Sequence, residues 1–497
     1  MDVYVAHRPS FGFVLSCLAS LLAMVACGTS ATSAKGPAET NGSQDVFDIN
    51  AVGDSVDAFD GVADVADSAG ADLEPDLSPA TDLAMADTTD AIPGDLSESV
   101  DSAAEVSPSY GMALAKELFD KKGIHEVVVT LAPSDWQDYL AGAALPDGEK
   151  LYAYYPATID FDGVTKLTVG VKGFGNGSQT ANPAKPNIHI KYDQFLDTGI
   201  GPEGQKSFRL KASGQDPTFL REPLAGELIQ SIGGYAPRWS WAHVVVNGAD
   251  YGLYQLQETV DKRLFKNRFA NNDGNKYESH GGCNGLNCPV SGCANLGTFY
   301  VGDPGDGSEI VALAEAVSAA APADLLTILQ AHIDVPALLA DYACDAVLSN
   351  LDGLVSSGQN FTLYAQQGSH LLEVIATGQD LTFGNFKDAF YPLASPWGIP
   401  NGWCGLQHQD LLFSRVWTGA QTAPLLQAKL RDLQCGPFVQ ETILSRIKEL
   451  AQIIHDGVYN DPKGIHTPQQ IVVSYAQMQA YVVSRQKTLL DLLGPCP

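Results

Sequence analysis

The feature that most constrains the fold is a strongly acidic strip near the start of the chain. Residues 28–109 contain eighteen acidic residues against one basic residue, Lys35, and their only aromatic residues are Phe47 and Phe59. A segment of this composition buries too little apolar surface to offset the entropy lost on ordering. We therefore predict a disordered, self-repelling tether over 27–109, with the globular part of the protein beginning at residue 110.

The net charge and the hydropathy exclude two classes of protein. The 497 residues include 58 Asp and Glu against 29 Lys and Arg, which gives a formal charge of −29. Nucleic acid is therefore not an expected partner, because its phosphates and this chain repel each other. Only residues 10–26 are apolar enough to enter a bilayer, so a membrane protein with several spans is also excluded.

The apolar segment itself resembles a bacterial lipoprotein signal peptide over 1–26. It contains no charged residue, follows His7 and Arg8, and ends directly before Cys27. In such signals the cysteine is acylated and becomes the mature N-terminus. We therefore expect an exported protein that is held at a membrane, the outer membrane or the cell surface, by a lipid on Cys27. An ordinary cleaved signal and an uncleaved anchor helix are the alternatives.

Seven cysteines follow Cys27, and an exported protein is expected to hold most of them in disulfides. The odd number leaves at least one thiol free. Cys344 lies in the apolar run Pro336–Leu348, which predicts a buried free thiol there. A zinc site built from His280 and the three cysteines that follow it is the alternative for that cluster. The seven are Cys283, Cys288, Cys293, Cys344, Cys404, Cys435 and Cys496.

From residue 110 onward the pattern predicts a mixed α+β fold, with strands and one helix first and mostly helices after Leu313. Two hairpins are indicated by their turns, Asp162-Gly163 and Asn247-Gly248. A helix is predicted to begin at Asp216 and to end at Gly233-Gly234, because apolar residues recur at helical spacing between them. The further predicted strands are 125–131, 185–192 and 206–211, and a short helix is predicted over 134–140.

Four separated motifs in this part resemble the spore-coat kinase CotH family. They are DPTFLREPLA at Asp216–Ala225, VVVNGADYGLYQLQETVDK at Val244–Lys262, NLDGLVSSGQNFTLY at Asn350–Tyr364 and DLTFG at Asp380–Gly384. The resemblance implies a two-lobed, atypical kinase-like fold that transfers phosphate from ATP to protein. Its strand-rich N-lobe would span 110–262, and its helix-rich C-lobe would span 263–497 with a Cys-rich insert at 281–293.

The resemblance also implies roles for three polar residues. Asp352 corresponds to the family's catalytic Asp in the NxDG motif, Asn360 to the Asn that follows it, and Asp380 to the Asp that binds metal. Carboxylate and amide oxygens are suitable ligands for Mg²⁺, and Mg²⁺ or Mn²⁺ with ATP is therefore the expected cofactor set. The alternative for each residue is a polar side chain that only caps a turn.

On the phosphate side, the resemblance implies that Lys185 contacts ATP, although Lys191 and Lys211 on neighbouring strands are also candidates. Backbone N–H groups of a glycine-rich loop would approach the phosphates. The loop residues are Gly173, Gly175, Gly177 and Ser178.

Two further residues complete the implied nucleotide-binding set, Arg221 and Glu258. Arg221 corresponds to an Arg of the family, and its alternative role is a structural ion pair. Glu258 lies where a kinase hinge would be, and its alternative role is to cap a helix over 260–269.

One position departs from the family. Thr377-Gly378 stands where the family has Trp-Asp before Gln379-Asp380. Two functions are therefore carried forward. One is a lipid-anchored kinase that acts on Ser or Thr of surface proteins, and the other is a non-catalytic pseudokinase that serves as a surface binding or adhesion protein.

Overall fold

The structure is a computed structural model that describes residues 117–143, 153–175, 184–197, 199–269, 272–279, 299–301, 307–356, 358–385 and 411–497. The predicted signal peptide, the tether, Cys27 and the Cys-rich insert lie outside these residues, as do Gly177 and Ser178 of the glycine-rich loop. The described part contains both helices and strands, so the mixed α+β prediction is confirmed at that level.

Seven strands close into a barrel in the order β1-β2-β3-β4-β5-β7-β6. All neighbours are antiparallel except β1 and β6, which run parallel and pair Val127 with Val244. Closure leaves the barrel without an open sheet edge. The strands are β1 (Ile124–Leu131), β2 (Tyr155–Phe161), β3 (Val164–Gly173), β4 (Ile188–Lys191), β5 (Ser207–Lys211), β6 (Trp239–Val246) and β7 (Ala249–Glu258).

Alternation along each strand separates the barrel interior from its outer surface. On β5, Phe208 and Leu210 are fully buried in the barrel core, whereas Ser207, Arg209 and Lys211 point to the other face. Side chains of an extended strand alternate between faces, so this order is expected from the sequence. The outer face of β3, β4, β5 and β7 is therefore polar and forms one wall of a cleft.

Both predicted hairpins are confirmed. Asp162 and Gly163 have φ of 49° and 81°, and Asn247 and Gly248 have φ of 50° and 79°. Two consecutive positive φ values match the two-residue turn that suits the twist of antiparallel strands. The side chain of Asn247 also accepts a hydrogen bond from Leu131 N at 2.9 Å, which fixes this turn to β1.

The helix predicted to begin at Asp216 begins five residues later, as α2 (Arg221–Ser231). The Asp216 carboxylate accepts hydrogen bonds from Thr218 N at 3.0 Å and from Arg221 N at 2.9 Å. These bonds hold 216–220 in a turn, in which Phe219 has φ of 58°. An Asp side chain that accepts hydrogen bonds from nearby backbone N–H groups favours a turn over a helix, so the helix begins after it.

After the barrel the chain is mostly helical, but the prediction missed a four-stranded sheet in the order β11-β10-β8-β9. Strands β10 (Phe361–Ala365) and β11 (Leu372–Ala376) are buried at every position. A strand buried on both faces has no polar alternation and cannot be told from a helix by periodicity. The other two strands are β8 (Asn275–Ser279) and β9 (Phe299–Val301).

The helices of the described part pack mainly into a second core around α6 (Val335–Leu348), whose side chains are almost all buried. Cys344 on α6 is buried and free, as predicted. A disulfide joins Cys435 to Cys496. The helices are α1 (Pro133–Ala143), α2, α3 (Lys262–Arg268), α4 (Ser308–Ala319), α5 (Leu325–His332), α6 (Val335–Leu348), α7 (Leu411–Thr418), α8 (Ala423–Gln434), α9 (Gln440–Tyr459) and α10 (Pro468–Leu493).

Within the described residues, none of these helices is long and apolar enough to cross a membrane.

Candidate functional site

A cleft of about 1070 Å³ runs along the polar face of the barrel. Its opposite side is formed by the segments that follow α6 and β11. The cleft brings together seven of the candidate residues singled out in the sequence, which are Gly173, Gly175, Lys191, Lys211, Asp352, Asn360 and Asp380. They come from positions up to 207 residues apart in the chain, so the fold gathers them.

The cleft contains an ionic cluster of three buried side chains, Lys211, Glu222 and Asp380. Lys211 at the end of β5 donates to Glu222 Oε2 at 2.6 Å and to Asp380 Oδ2 at 3.0 Å. Burial opposes the charge on Lys211, but the carboxylates of Asp380 and Glu222 together raise the pKa of its ammonium above the usual value. Lys211 is therefore charged at neutral pH and held at a fixed place in the cleft.

Glu222, in the first turn of α2, links this cluster to the loop that carries Asp380. Its Oε1 accepts a hydrogen bond from Gln379 N at 3.2 Å. Burial raises the pKa of Glu222 to about 7, against the lowering effect of the Lys211 ammonium. The sequence interpretation did not assign Glu222. An available signal was an acidic residue in the first turn of a helix that follows a strand ending in Lys.

The second group in the cleft is Asp352 with Asn360. The Asn360 amide Nδ2 donates to Asp352 O and to Asp352 Oδ2, both at 2.8 Å. Gln359 Nε2 donates to the other carboxylate oxygen of Asp352 at 3.0 Å. Two of these three hydrogen bonds reach the carboxylate, one on each oxygen, so the Asp352 side chain is oriented by its own loop and not only by solvent.

A buried carboxylate on α6, Asp345, holds that loop in place, and the sequence interpretation missed it. Asp345 accepts hydrogen bonds from Asn350 Nδ2 at 2.8 Å and from Val355 N at 3.1 Å. Asn350 in turn accepts from Asp352 N at 3.3 Å. Burial raises the pKa of Asp345 to about 6, although its hydrogen bonds act against this shift. An Asp inside an apolar helical run was the only sequence signal.

The departure at Thr377-Gly378 has a structural explanation. Gly378 has φ of 59°, and a Cβ added to it would lie 2.6 Å from both Cγ and Oδ1 of Asn360. A side chain at this position would therefore displace Asn360 from its place beside Asp352. The observed position of Asn360 in this chain therefore requires a glycine at position 378.

Lys185 does not face the cleft, so its implied contact with phosphates does not fit the geometry. Its ammonium is fully buried, donates to Leu253 O at 2.7 Å and pairs with Asp461. Of the three candidate lysines, Lys211 is the one that meets Asp380, and Lys191 lines the cleft further along the barrel face. Lys185 ties the barrel to the segment after α9 instead.

Arg221 and Glu258 also lie away from the cleft lining. Arg221 is fully buried and pairs with Asp216 at 2.5 Å, which is the structural ion pair considered as its alternative. Glu258 ends β7 and pairs with Arg238 at 2.8 Å and Arg268 at 3.0 Å. It does not cap α3, because the side chain of Asp261 does so by accepting from Arg263 N at 2.8 Å.

Comparison with known proteins agrees with the resemblance seen in the motifs. Residues 171–489, more than half of the chain, match the family model described as CotH kinase protein. The chain belongs to the CotH kinase family. The match covers the end of β3, all of β4 to β7, the ionic cluster and both loops of the cleft.

Two individual proteins are similar to this CotH family member. The inner spore coat protein H of Bacillus subtilis (strain 168) is 25% identical over 214 residues, which are 42% of this chain and 57% of that relative. The chain therefore spans less than two thirds of the relative's length. The Helicobacter pylori proinflammatory kinase CtkA aligns over 63% of this chain and 94% of its own at 10% identity, with a TM-score of 0.29. A score this low does not establish a shared fold.

The oxygens in the cleft fit a hard divalent cation that is bound mostly through another molecule. Among the residues that the structure describes, no three His, Cys, Asp or Glu side chains are grouped as a self-sufficient metal site. Asp380 and Asn360 offer a carboxylate and an amide oxygen. Mg²⁺ is commonly held by one or two such ligands together with substrate phosphates and water.

Proposed function

We propose that this member of the CotH kinase family is an active phosphotransferase that moves the γ-phosphate of ATP to Ser or Thr of surface proteins. The observation that carries the proposal is the Lys211–Glu222–Asp380 cluster, which shares one cleft with Asp352 and Asn360. Phosphoryl transfer needs a fixed cation on the phosphates, metal ligands and a group that orients the acceptor hydroxyl. The cleft holds a candidate for each.

In this proposal each residue acts through its position. The Lys211 ammonium binds phosphate oxygens, and Glu222 keeps it aligned as the acidic partner of such lysines does in kinases. Asp352 accepts a hydrogen bond from the acceptor hydroxyl, and Asn360 holds Asp352 in the required orientation. Asp380 and the Asn360 amide oxygen would hold Mg²⁺ or Mn²⁺, which neutralises phosphate charge when bound.

We further propose that the barrel part, 110–262, acts as the N-lobe and that 263–497 acts as the C-lobe of a kinase-like protein. The support is the place of the cleft, because residues from both stretches line it. The glycine-rich loop begins at Gly173, where β3 ends, and Gly173 and Gly175 line the cleft. Their backbone N–H groups are thus suited to approach phosphate.

The place of action is proposed from sequence alone. The apolar segment 10–26 and Cys27 support export and a lipid anchor, and the acidic strip 28–109 supports a spacer between membrane and enzyme. Mass spectrometry of the mature N-terminus tests this part. Acylated Cys27 is the expected result, and an intact Met1 or a lipid-free start elsewhere would contradict it.

The catalytic proposal is tested by calorimetry with ATP and Mg²⁺ or Mn²⁺, together with transfer from labelled ATP, on three forms of the full chain. The unmutated chain should bind nucleotide and label itself or an added protein. Asp380→Ala should lose metal-dependent binding, because it removes charge neutralisation from ground and transition states. Asp352→Asn should keep binding and lose about 10²–10⁴-fold in transfer, since it acts at the acceptor.

A second function, non-catalytic binding at the cell surface, is favoured by one observation. Gly378 stands where the family has an acidic residue, so one carboxylate of the family pattern is missing from the cleft. If the unmutated chain binds no nucleotide with either metal, the kinase proposal fails and this function takes its place.

A further inference from the structure

The face of the barrel that lines the cleft carries a group of basic side chains outside the Lys211 cluster. Lys172 on β3 pairs in register with His189 on β4, and His189 pairs with Arg209 on β5. Lys191 lies two residues further along β4 on the same face. All four line the cleft. We call Lys172, His189, Lys191 and Arg209 the basic face.

This concentration of positive charge is unusual for the chain. Eight of its 29 Lys and Arg residues line the cleft, against six of its 58 Asp and Glu residues. A protein with this net charge repels anions over most of its surface. In the lining of the cleft cations outnumber acids, so an anion would be drawn there despite the net charge.

The protein neutralises the basic face only in part. Asp193 lies 4.0 Å from Lys191 and 3.6 Å from Lys206, so it serves two lysines. Glu278 on β8 pairs with Lys276, although its charge also reaches Lys172 and Arg209. Among the described residues, neither Lys172 nor Arg209 has a carboxylate at ion-pair distance, and each packs on a ring instead. The rings are Tyr154, 4.8 Å from Lys172, and Phe174, 5.1 Å from Arg209.

Two buried polar atoms of the basic face also lack a hydrogen-bond partner among the described residues. They are Nε2 of His189, which is only 8% exposed, and Nε of Arg209. Burial lowers the pKa of both Lys172 and His189, and the neighbouring cations lower it further. Mutual repulsion of this kind costs stability, and a bound anion would relieve it.

The spacing of the cations indicates the shape of the anion. Lys172 and Arg209 lie two strands apart, about 9–10 Å at the usual strand separation. A single phosphate group is too small to span that distance. Acidic side chains at positions i and i+3 of an extended peptide in the polyproline II conformation lie on one face, about 9 Å apart, which matches it.

We infer that the basic face binds anionic side chains on an extended acceptor segment, either Asp and Glu or phosphorylated residues next to the acceptor Ser or Thr. The inference rests on the proposed function, because it assigns the substrate class of the same cleft. Arg209 lies two residues before Lys211 on the same face of β5, about 7 Å away. An acceptor held there would thus lie beside the residues proposed to act on it.

The test measures binding without catalysis. Fluorescence anisotropy is recorded with the full chain and three labelled peptides of one length, each with a central Ser. One is flanked by Asp, one by phosphoserine and one by Asn. We expect both anionic peptides to bind in a salt-dependent manner and the Asn peptide to bind at least about ten-fold more weakly. The difference between the two anionic peptides shows which source of negative charge is preferred.

Variants then locate the site. Lys172→Gln with Arg209→Gln should weaken binding of the anionic peptides by at least about ten-fold. Lys166→Gln changes a lysine on the same strand that does not line the cleft, and it should leave binding unchanged. Arg209→Lys keeps the charge and should retain most of the binding. Thermal melts of all variants check that they are folded.

The outcomes separate this inference from the proposed function, because each variant is also titrated with ATP and Mg²⁺. If the double variant loses nucleotide and still binds peptide, the basic face serves the nucleotide and the inference is overturned. Equal binding of all three peptides would overturn it as well. If the unmutated chain binds acidic peptide but no nucleotide, the kinase proposal fails while the acidic-ligand site stands.

Discussion

Two neighbouring residues in the first turn of α2, Arg221 and Glu222, are both buried and charged but belong to different kinds of site. Arg221 is surrounded by protein: it donates to Asp216 at 2.5 Å, to Thr382 O at 3.0 Å and to Ser474 Oγ at 2.9 Å. Glu222 lines the cleft with Lys211 and Asp380 and pairs with Lys211.

The difference separates a buried charge that stabilises the fold from a buried charge that is available to a ligand. The guanidinium of Arg221 has its partners inside the fold, so its burial is compensated there and nothing is left for a ligand. The Lys211–Glu222–Asp380 cluster borders the open cleft. Its single ammonium does not fully compensate the buried charge of Glu222, so burial still raises the pKa of that carboxylate. We therefore expect changes to Arg221 to affect stability and changes to Glu222 to affect activity.

The largest expected effect is that of Arg221→Met. The change keeps much of the side-chain length but leaves Asp216 buried without its cation, which typically costs about 3–5 kcal/mol. Urea denaturation followed by circular dichroism measures this loss in the free energy of unfolding. The double variant Asp216→Asn, Arg221→Met removes both charges and should recover part of the loss. If Arg221→Met alone is as stable as the unmutated chain, Arg221 is not a structural charge.

The next effect is that of Glu222→Gln, which keeps the shape of the side chain and removes its charge. Burial raises the pKa of Glu222, so the neutral form is accommodated and stability should change by less than about 1 kcal/mol. Phosphate transfer should fall by about 10²-fold, because Lys211 loses the partner that aligns it. Transfer from labelled ATP measures this, and loss of stability with unchanged transfer would reverse the two roles.

The sequence predicted the strands and both hairpins of the barrel, because the strands alternate and the turns have characteristic residues, but it did not predict that the sheet closes into a barrel. The buried strands β10 and β11 were missed, since five-residue, mostly apolar runs such as LEVIA show no periodicity that distinguishes strand from helix. In the site, Asp352, Asn360 and Asp380 were identified by motif. Choosing Lys211 over Lys185 needed the tertiary structure, because the partner that decides it, Asp380, lies 169 residues further along the chain.

Restoring the family's acidic residue by Gly378→Asp should destabilise the protein. The positive φ alone costs about 1–2 kcal/mol for a residue with a side chain. The contact with Asn360 should add about 1–3 kcal/mol, because the new atoms have no space. Gly368→Asp is the matched control, since Gly368 has φ of 88° and no atom within 4 Å of a Cβ. Urea denaturation should show the larger loss at 378, together with reduced transfer. Equal losses at both positions would show that Asn360 moves freely.

The smallest effect concerns Glu373 on β11, a buried carboxylate that extends the comparison to a charge with no cation beside it among the described residues. Its Oε1 accepts from Gln366, and the other neighbouring side chain is a second acid, Asp334. Burial, followed by the nearby Asp334 carboxylate, raises the pKa of Glu373 to about 8. The folded protein therefore keeps a proton that the unfolded chain releases near pH 4.5. The stability that this proton provides is complete below pH 4.5 and is lost as the pH rises through 8.

Glu373→Gln imitates the protonated form, so its melting temperature should equal that of the unmutated chain near pH 4.5 and exceed it by about 2–4 °C at pH 8.5. Glu441→Gln changes an exposed residue of α9 and should follow the unmutated chain at both values. If Glu373→Gln melts lower at pH 8.5, the ionised carboxylate has a stabilising partner, and Glu373 belongs with Arg221 among the compensated charges.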